Sequence, residues 1–487
     1  MLRAVGILLI IVAAGDCLKR RLGLREPLVE TLNLPKEQWF NQKLDHYKPT
    51  DLRTWQQRYY VNDTFFNGSP NSPVFLMIGG EGEASAKWMV AGAWIEYAQT
   101  FGALCFQLEH RFYGKSRPTE DMSVENLQFL NSEQALADLA NFIVSMNAAY
   151  NLQNGNKWIA FGGSYPGSLA AWLRYKYPHL VHASISSSGP LLALADFRDY
   201  FEVVKASLGT SSIDCVSSVK MANKHLTKLL TDQSGGELLT KKFRLCSPLD
   251  VSNDNDVSNL AESLADNFAG IVQYNKDNRI TSDPASKITI DDVCNIMTNT
   301  KLGDPIDRYA EVNNLLLRVT NQTCLNYTYE ESIKDLSNTV WSNSSTEAGR
   351  QWTYQTCVEF GFYQTSTEES DLFGPNFPLK FFIQQCRDIF GEGFGKELLE
   401  EGINRTNTIY GDLHLKVKRV LFVHGSIDPW HALGIISSQN PDAPAVFIKG
   451  TAHCANMYPS KNDDLPQLKE ARKTEIHYLK LWLNQDD

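Results

Sequence analysis

The sequence predicts an α/β protein: a mostly parallel sheet with helices on both faces, interrupted by a helical insertion stapled by disulfides. Three observations predict it. Between about residues 55 and 190, short apolar runs alternate with helical periodicity, the pattern that builds a parallel sheet covered on both sides. Near residue 195 the alternation stops, and it resumes only with the apolar runs 419–423 and 443–448. The stretch between holds helical segments, polar loops and six of the nine cysteines. At 487 residues the chain exceeds one ordinary core, so two domains or one core with a large insertion are expected. The expected divisions are 1–17 as a signal peptide, 18–195 and 396–487 as two parts of one core, and 196–395 as the insertion.

Taken in order, Arg3, the apolar run Val5 to Ala14 and the small residues Ala13 and Gly15 have the make-up of a secretory signal. That run is too short to span a bilayer, and nothing later approaches the roughly 20 apolar residues a spanning helix needs. Lys19-Arg20-Arg21 reads either as a processing site or as a solvated charge run. Residues 22–54 are mixed and are expected to wrap the surface. Strands are expected at 57–66 and 73–78, separated by the turn Asn67-Gly68-Ser69-Pro70. The second strand runs into Gly79-Gly80-Glu81-Gly82-Glu83, a flexible loop before a helical pattern at 87–99. A strand at 102–109 and a helix at 132–150 follow, the helix marked by Ala135, Leu139, Phe142, Ile143 and Met146. Another strand is expected at 181–188, and the insertion offers helices at 194–208, 217–231, 260–274 and 309–320. Residues 465–484 close the chain as an amphipathic helix.

The chemistry concentrates at Lys157 to Gly167. The apolar run Trp158 to Phe161 stops at Gly162-Gly163, exposes Ser164 and turns into a helical pattern. Strand, tight turn with a serine at its tip, then helix is the layout of a nucleophile elbow. Such a turn is strained, and Gly162 and Gly163 supply the room it needs. Pro166 replaces the second glycine of the G-x-S-x-G pattern, but proline sits well in the first turn of a helix. The plainer alternative is a glycine-rich turn with an incidental serine.

A serine attacks only when a base removes its proton and a third group orients that base. On an α/β-hydrolase core the chain order is Ser, then Asp or Glu, then His, with the last two after the late strands. Asp428 and His453 stand at those strand ends. Asp428 before a proline also suits a plain turn, while His424, His431 and His110 compete for the base but sit out of order. The oxyanion donors are expected to be the N–H of Tyr165 and one from the loop Gly79 to Gly82, with Gly80 assigned. Glu81 and Glu83 are either solvated or placed for a cationic group such as a free amino terminus. Glu81 and Tyr113 are the substrate-binding candidates.

The net charge of -10, with no basic face, argues against nucleic acid as a partner. Neither a C-x-x-C pair nor a His/Cys metal spacing occurs, so the cysteines read as disulfides and no metal or cofactor is expected. If Cys17 leaves with the signal, eight cysteines remain, six of them between residues 215 and 386. Six cysteines allow fifteen pairings. Six N-x-S/T sequons, at Asn62, Asn67, Asn321, Asn326, Asn343 and Asn404, agree with export and suggest a glycosylated surface. The expected location is the secreted space or the endosomal and lysosomal lumen.

Four stretches together resemble the lysosomal Pro-Xaa carboxypeptidase family of serine peptidases. They are Gly162 to Gly167, Glu109-His110-Arg111-Phe112-Tyr113-Gly114, Gly79-Gly80-Glu81-Gly82 and Asp428-Pro429-Trp430, and the resemblance runs from about residue 38 to 484. Trp352 to Tyr363 is most similar to the thymus-specific serine protease branch. The resemblance implies an α/β-hydrolase core with a helical cap, Ser164 as nucleophile, Asp428 as orienter and His453 as base. It also implies the pairs Cys215–Cys294, Cys246–Cys324 and Cys357–Cys386, leaving Cys105 and Cys454 as buried thiols or as a pair. It implies peptide substrates cut next to proline from one terminus, and a homodimer in some members. The rivals are an esterase or lipase on the same fold, and a catalytically silent binding module, which usually lacks a triad member.

Overall fold

The computed structural model of the chain describes residues 24–29, 33–153, 155–276, 284–341, 348–367 and 372–485. The expected signal peptide, Cys17, Lys19-Arg20-Arg21 and the sequon at Asn343 lie outside the described residues. Ten strands form among the described residues: β1 (Gln38–Lys43), β2 (Thr54–Asn62), β3 (Val74–Ile78), β4 (Leu104–Leu108), β5 (Trp158–Gly163), β6 (Ala183–Ser187), β7 (Leu194–Asp196), β8 (Gly361–Tyr363), β9 (Val420–Gly425) and β10 (Ala445–Ile448). Eight of them make one sheet in the order β1-β2-β4-β3-β5-β6-β9-β10, while β7 and β8 pair separately. Along the sheet from β4 to β10 every pairing is parallel, and β2 alone runs against the rest, antiparallel to both β1 and β4. This is an α/β-hydrolase core.

The central strands β3, β4 and β5 are largely apolar runs because helices cover both faces. β3, Val-Phe-Leu-Met-Ile, is buried at all five positions. Its side chains alternate between two cores: Val74, Leu76 and Ile78 join one, and Phe75 and Met77 the other. The first core is covered by the helices Ser132–Ala149 and Tyr165–Lys176, and the second by Ala93–Phe101 and Pro466–Leu483.

Two features position the site. β3 lies between β4 and β5, so the chain moves one way along the sheet and then returns to the other side of β3. The loops leaving the carboxyl ends of β3 and β5 therefore face each other across a switch point, where open α/β sheets bind their ligands. The second feature is the insertion between β6 and β9, which carries the helices Asp199–Gly209, Ile213–Leu229, Asp254–Gln273, Ile290–Thr298 and Pro305–Val319. Disulfides join Cys215 to Cys294, Cys246 to Cys324 and Cys357 to Cys386. Cys105 and Cys454 are separate buried thiols.

Local readings shift in places. Residues 38–43, expected to wrap the surface, add an edge strand instead, with Gln38 opposite Tyr59 and Lys43 opposite Thr54. The strand expected at 57–66 is β2, which starts three residues earlier and ends at Asn62, because pairing with β1 extends it backward. Among the sequons, Asn67, Asn321 and Asn404 are exposed. Asn62 is half-buried, and its side-chain amide donates to the carbonyl of Met89 at 2.7 Å. No helix among the described residues is long and apolar enough to cross a membrane.

Candidate active site

Ser164 ends β5 with φ 65° and ψ −135°, a strained conformation for a residue with a side chain. Neighbouring contacts hold it there. Its N–H donates to the carbonyl of Ser187 at 3.0 Å, and its own carbonyl accepts from the N–H of Gly167 at 2.8 Å, opening the helix Tyr165–Lys176. The flanking glycines are steric necessities. A Cβ at Gly162 would strike the carbonyl of Pro166, and one at Gly163 would strike Met457 and the Cys454 sulfur. Pro166 packs against Gly80, where a Cβ would meet the ring, so the loop after β3 lies directly on the elbow.

The loop after β10 brings His453 to the same cleft as Ser164. His453 Nδ1 lies 2.8 Å from Asp428 Oδ1, and both side chains are buried. A carboxylate oxygen accepts, so Nδ1 carries the proton and Nε2 is left as the acceptor nitrogen of the neutral ring. Asp428 is itself fixed by the backbone N–H of Trp430, which donates to Oδ1 at 3.0 Å. Burial opposes charge on both partners, but each outweighs that opposition for the other. His453 is raised well above its ordinary value by the Asp428 carboxylate, with Cys454 assisting, and Asp428 is held below its own by His453.

Several residues that organise this geometry carry no motif. The serine run ending β6 staples the two loops together. Ser186 Oγ donates to the carbonyl of Gly167 at 2.8 Å, Ser188 Oγ accepts from the N–H of Cys454 at 2.9 Å, and Ser187 Oγ accepts from Asn456 at 2.8 Å. The insertion participates through Gln273. Its carbonyl accepts the N–H of His453 at 3.0 Å, while its side-chain oxygen accepts from Tyr200 at 2.8 Å and Trp430 at 3.1 Å. A run of serines in a strand was the only sequence signal available for the first group, and Gln273 had none.

The cleft has a volume of about 340 Å³. Ser164, His453 and Glu81 share it with the aromatic residues Trp352, Phe362 and Trp430. Glu81 is buried at its wall, whereas Glu83 pairs with Arg58 at 2.9 Å. Tyr113, expected at the substrate, does not line the cleft. It is fully buried, because its hydroxyl donates to Gln355 Oε1 at 2.7 Å in the layer behind. Gln355 in turn donates to the hydroxyl of Tyr165 at 3.2 Å, and that hydroxyl meets His110 Nε2 at 3.1 Å. Burial pushes His110 down to about 4, so its neutral ring donates from Nδ1 to the carbonyl of Arg111 at 2.7 Å. The hydroxyl of Tyr165 is therefore engaged in this buried layer.

The segment Glu109 to Gly114 is scaffolding for the same region. Glu109 is buried against Arg58 and accepts from the N–H of Ala84 at 3.0 Å and from Ser116 Oγ at 2.7 Å, which fixes the far end of the glycine loop. Arg111 grips Asp138 with two bonds of 2.6 Å and donates to the carbonyls of Leu44 and Phe129. His424 is buried and pushed down to about 4 by that burial. No group of three or more His, Cys, Asp or Glu able to hold a metal occurs among the described residues.

Residues 42–475 match the family described as serine carboxypeptidase S28. The chain is 37% identical to a protein of Caenorhabditis elegans named as a serine protease, over 91% of this chain and 88% of that one. It is 34% identical to the thymus-specific serine protease of Mus musculus, covering 92% and 88%. To the lysosomal Pro-X carboxypeptidase of Homo sapiens it is 27% identical, covering 91% and 88%. The chain belongs to the serine carboxypeptidase S28 family and is a serine peptidase.

Proposed function

We propose that Ser164, His453 and Asp428 hydrolyse peptide bonds through an acyl-enzyme, with a preference near proline and from one end of the peptide. Ser164 Oγ attacks the carbonyl carbon while His453 Nε2 takes its proton. The tetrahedral oxyanion is received by the N–H of Tyr165 and by Gly80. His453 then gives the proton to the departing amine, and a water deprotonated by the same nitrogen releases the acid and restores Ser164. Asp428 holds the tautomer and faces the imidazolium while it exists. The observation that carries this reading is the buried His453–Asp428 pair at 2.8 Å in a cleft shared with a serine on a strained strand-to-helix turn.

The contact of Gly80 with Pro166 supports the oxyanion assignment, since it keeps the backbone after β3 beside the first turn of the helix. Trp352, Phe362 and Trp430 give the cleft flat apolar walls suited to a pyrrolidine ring, in keeping with the chain's similarity to a Pro-X carboxypeptidase. A volume of about 340 Å³ suits a short peptide end rather than a folded loop. The disulfides favour an oxidising compartment, in keeping with secretion or a lysosomal lumen. We assign residues 196–395 to a cap over the cleft.

The test is Ser164→Ala, assayed on a peptide mixture with free and blocked termini and with a serine-directed fluorophosphonate. Wild type is expected to shorten only peptides with one type of free end and to label at Ser164; the variant does neither while keeping its thermal transition. Turnover by a folded Ser164→Ala protein would sink the assignment. Cutting that ignores blocked termini removes the exopeptidase part alone.

A further inference from the structure

Residues 24–27 come before every strand of the sheet, yet they reach the catalytic cleft. Leu24 and Arg25 line it together with Ser164, His453 and Glu81. Several contacts seat them there. The carbonyl of Arg25 accepts from the hydroxyl of Tyr458 at 2.8 Å, and Tyr458 is buried in the loop that carries His453. The carboxylate of Glu26 accepts from Ser85 Oγ and pairs with Lys87, at the short helix Ala86–Met89 that follows the glycine loop. Leu24 is half-buried against the second core, and Pro27 is buried. Arg25 and Glu26 are neighbours, with Cα atoms about 3.8 Å apart, so a single peptide unit bridges the loop after β3 and the loop after β10. Those loops also touch directly, Trp88 facing Tyr458 with 5.4 Å between ring centroids. Residues 24–27 are therefore a strap over the seam between the two loops that flank Ser164.

We propose that Leu24 and Arg25 close one end of the cleft, so that a substrate must place a free end against them, and that Glu26 holds them there. The proposal rests on the reading of Ser164 and His453 given above, and it assigns the restriction to peptide ends to particular residues. A peptide threaded through a cleft advances by about 3.3 Å per residue and needs an opening on both sides of the nucleophile. Toward the seam that opening is occupied by main chain as well as side chains. A longer substrate has to lift residues 24–27, giving up the bond from Tyr458, the contacts of Glu26 and the burial of Leu24 and Pro27. A peptide that stops at the strap gives up none of them. The penalty falls on one class of substrate alone, which is how a site selects without touching the scissile bond. The pair Glu26–Lys87 is exposed and weak alone, so the seat is held by the sum of these contacts rather than by one of them.

The experiment compares the full wild-type chain with the double variant Leu24→Ala/Arg25→Ala, which shortens the wall, and with Glu26→Ala, which removes the anchor to Ser85 and Lys87. Each is given one peptide with free ends and the same peptide lengthened and capped at both ends. The readout is the cleavage rate on the capped form relative to the free form. Fluorophosphonate labelling does not require the closed end, so its rate reports the triad separately. Wild type is expected to cut the free form alone. In the double variant the relative rate on the capped form should rise by about tenfold or more, with labelling unchanged. Glu26→Ala should move it the same way by about threefold, as loss of an exposed anchor predicts. Relative rates that stay at the wild-type value, with labelling unchanged, overturn the proposal and leave the triad standing. If both variants lose labelling while keeping their thermal transition, the strap serves the catalytic geometry rather than selection, and the proposal falls. A wild type that cuts the capped peptide overturns the proposal together with the exopeptidase part of the function. One that neither labels nor cuts overturns the triad reading and this proposal with it.

Discussion

Replacing Asp428 by asparagine isolates the electrostatic part of the site. The amide keeps the shape, and its Oδ1 can still accept from His453 Nδ1 and from the N–H of Trp430, the two bonds that orient Asp428. What is lost is the negative charge facing the imidazolium as it forms. Both side chains are buried, so an effective dielectric of about 20 applies, and charge centres about 4 Å apart interact by about 4 kcal/mol. That is a loss of about three orders of magnitude in the acylation rate. At pH values where His453 is neutral the folded state should change little, because its bond to the substituted amide persists. The assay is the fluorophosphonate labelling rate of Asp428→Asn against pH, with thermal denaturation as the control for folding. The acid limb should also move down, since the carboxylate that raises His453 is gone. A folded variant within tenfold of wild type, with its acid limb unmoved, would refute the claim that Asp428 works through its charge on His453.

Two further outcomes follow from the packing. In Gly163→Ala the added Cβ meets Met457 and the Cys454 sulfur on the loop that bears His453. Overpacking should cost about 1–3 kcal/mol by denaturant unfolding, and labelling should fall by more than tenfold as the loop moves off Ser164. Glu475, buried on the closing helix Pro466–Leu483 where it accepts from Tyr97 and Asn456, also makes stability depend on pH. Its folded value of about 7 lies above the ordinary 4.5, so the unfolded chain ionises first. Its favourable contribution is complete below about 4.5 and is lost as pH rises through about 7, a change of about 3 kcal/mol. Glu475→Gln should therefore flatten the dependence of Tm on pH across that window, and an unchanged slope would show that Glu475 does not titrate there.

What the sequence determined by itself is what local pattern and chain order encode. Apolar runs separated by helical spacing specified the parallel sheet, since strands covered on both faces need continuous apolar residues and the helices between them need an apolar stripe. The turn at Ser164 was legible because few residue types tolerate so tight a strand-to-helix junction. Asp428 and His453 were legible because they follow the late strands in order. β1 was not, because an edge strand such as Gln38–Lys43 buries little and its alternation is diluted by polar residues. Nor was the inward turn of Tyr113 or the grip of Gln273 on the His453 backbone. Those depend on which distant segments meet: Tyr113 on Gln355, and Gln273 on His453. Glu475 is the sharpest case. On its helix it reads as one acid among charged neighbours, and only the sheet that buries it beside Tyr97 and Asn456 decides its partners. Sequence supplies the reacting groups and their order; the tertiary structure decides their burial and their neighbours, and so their charge.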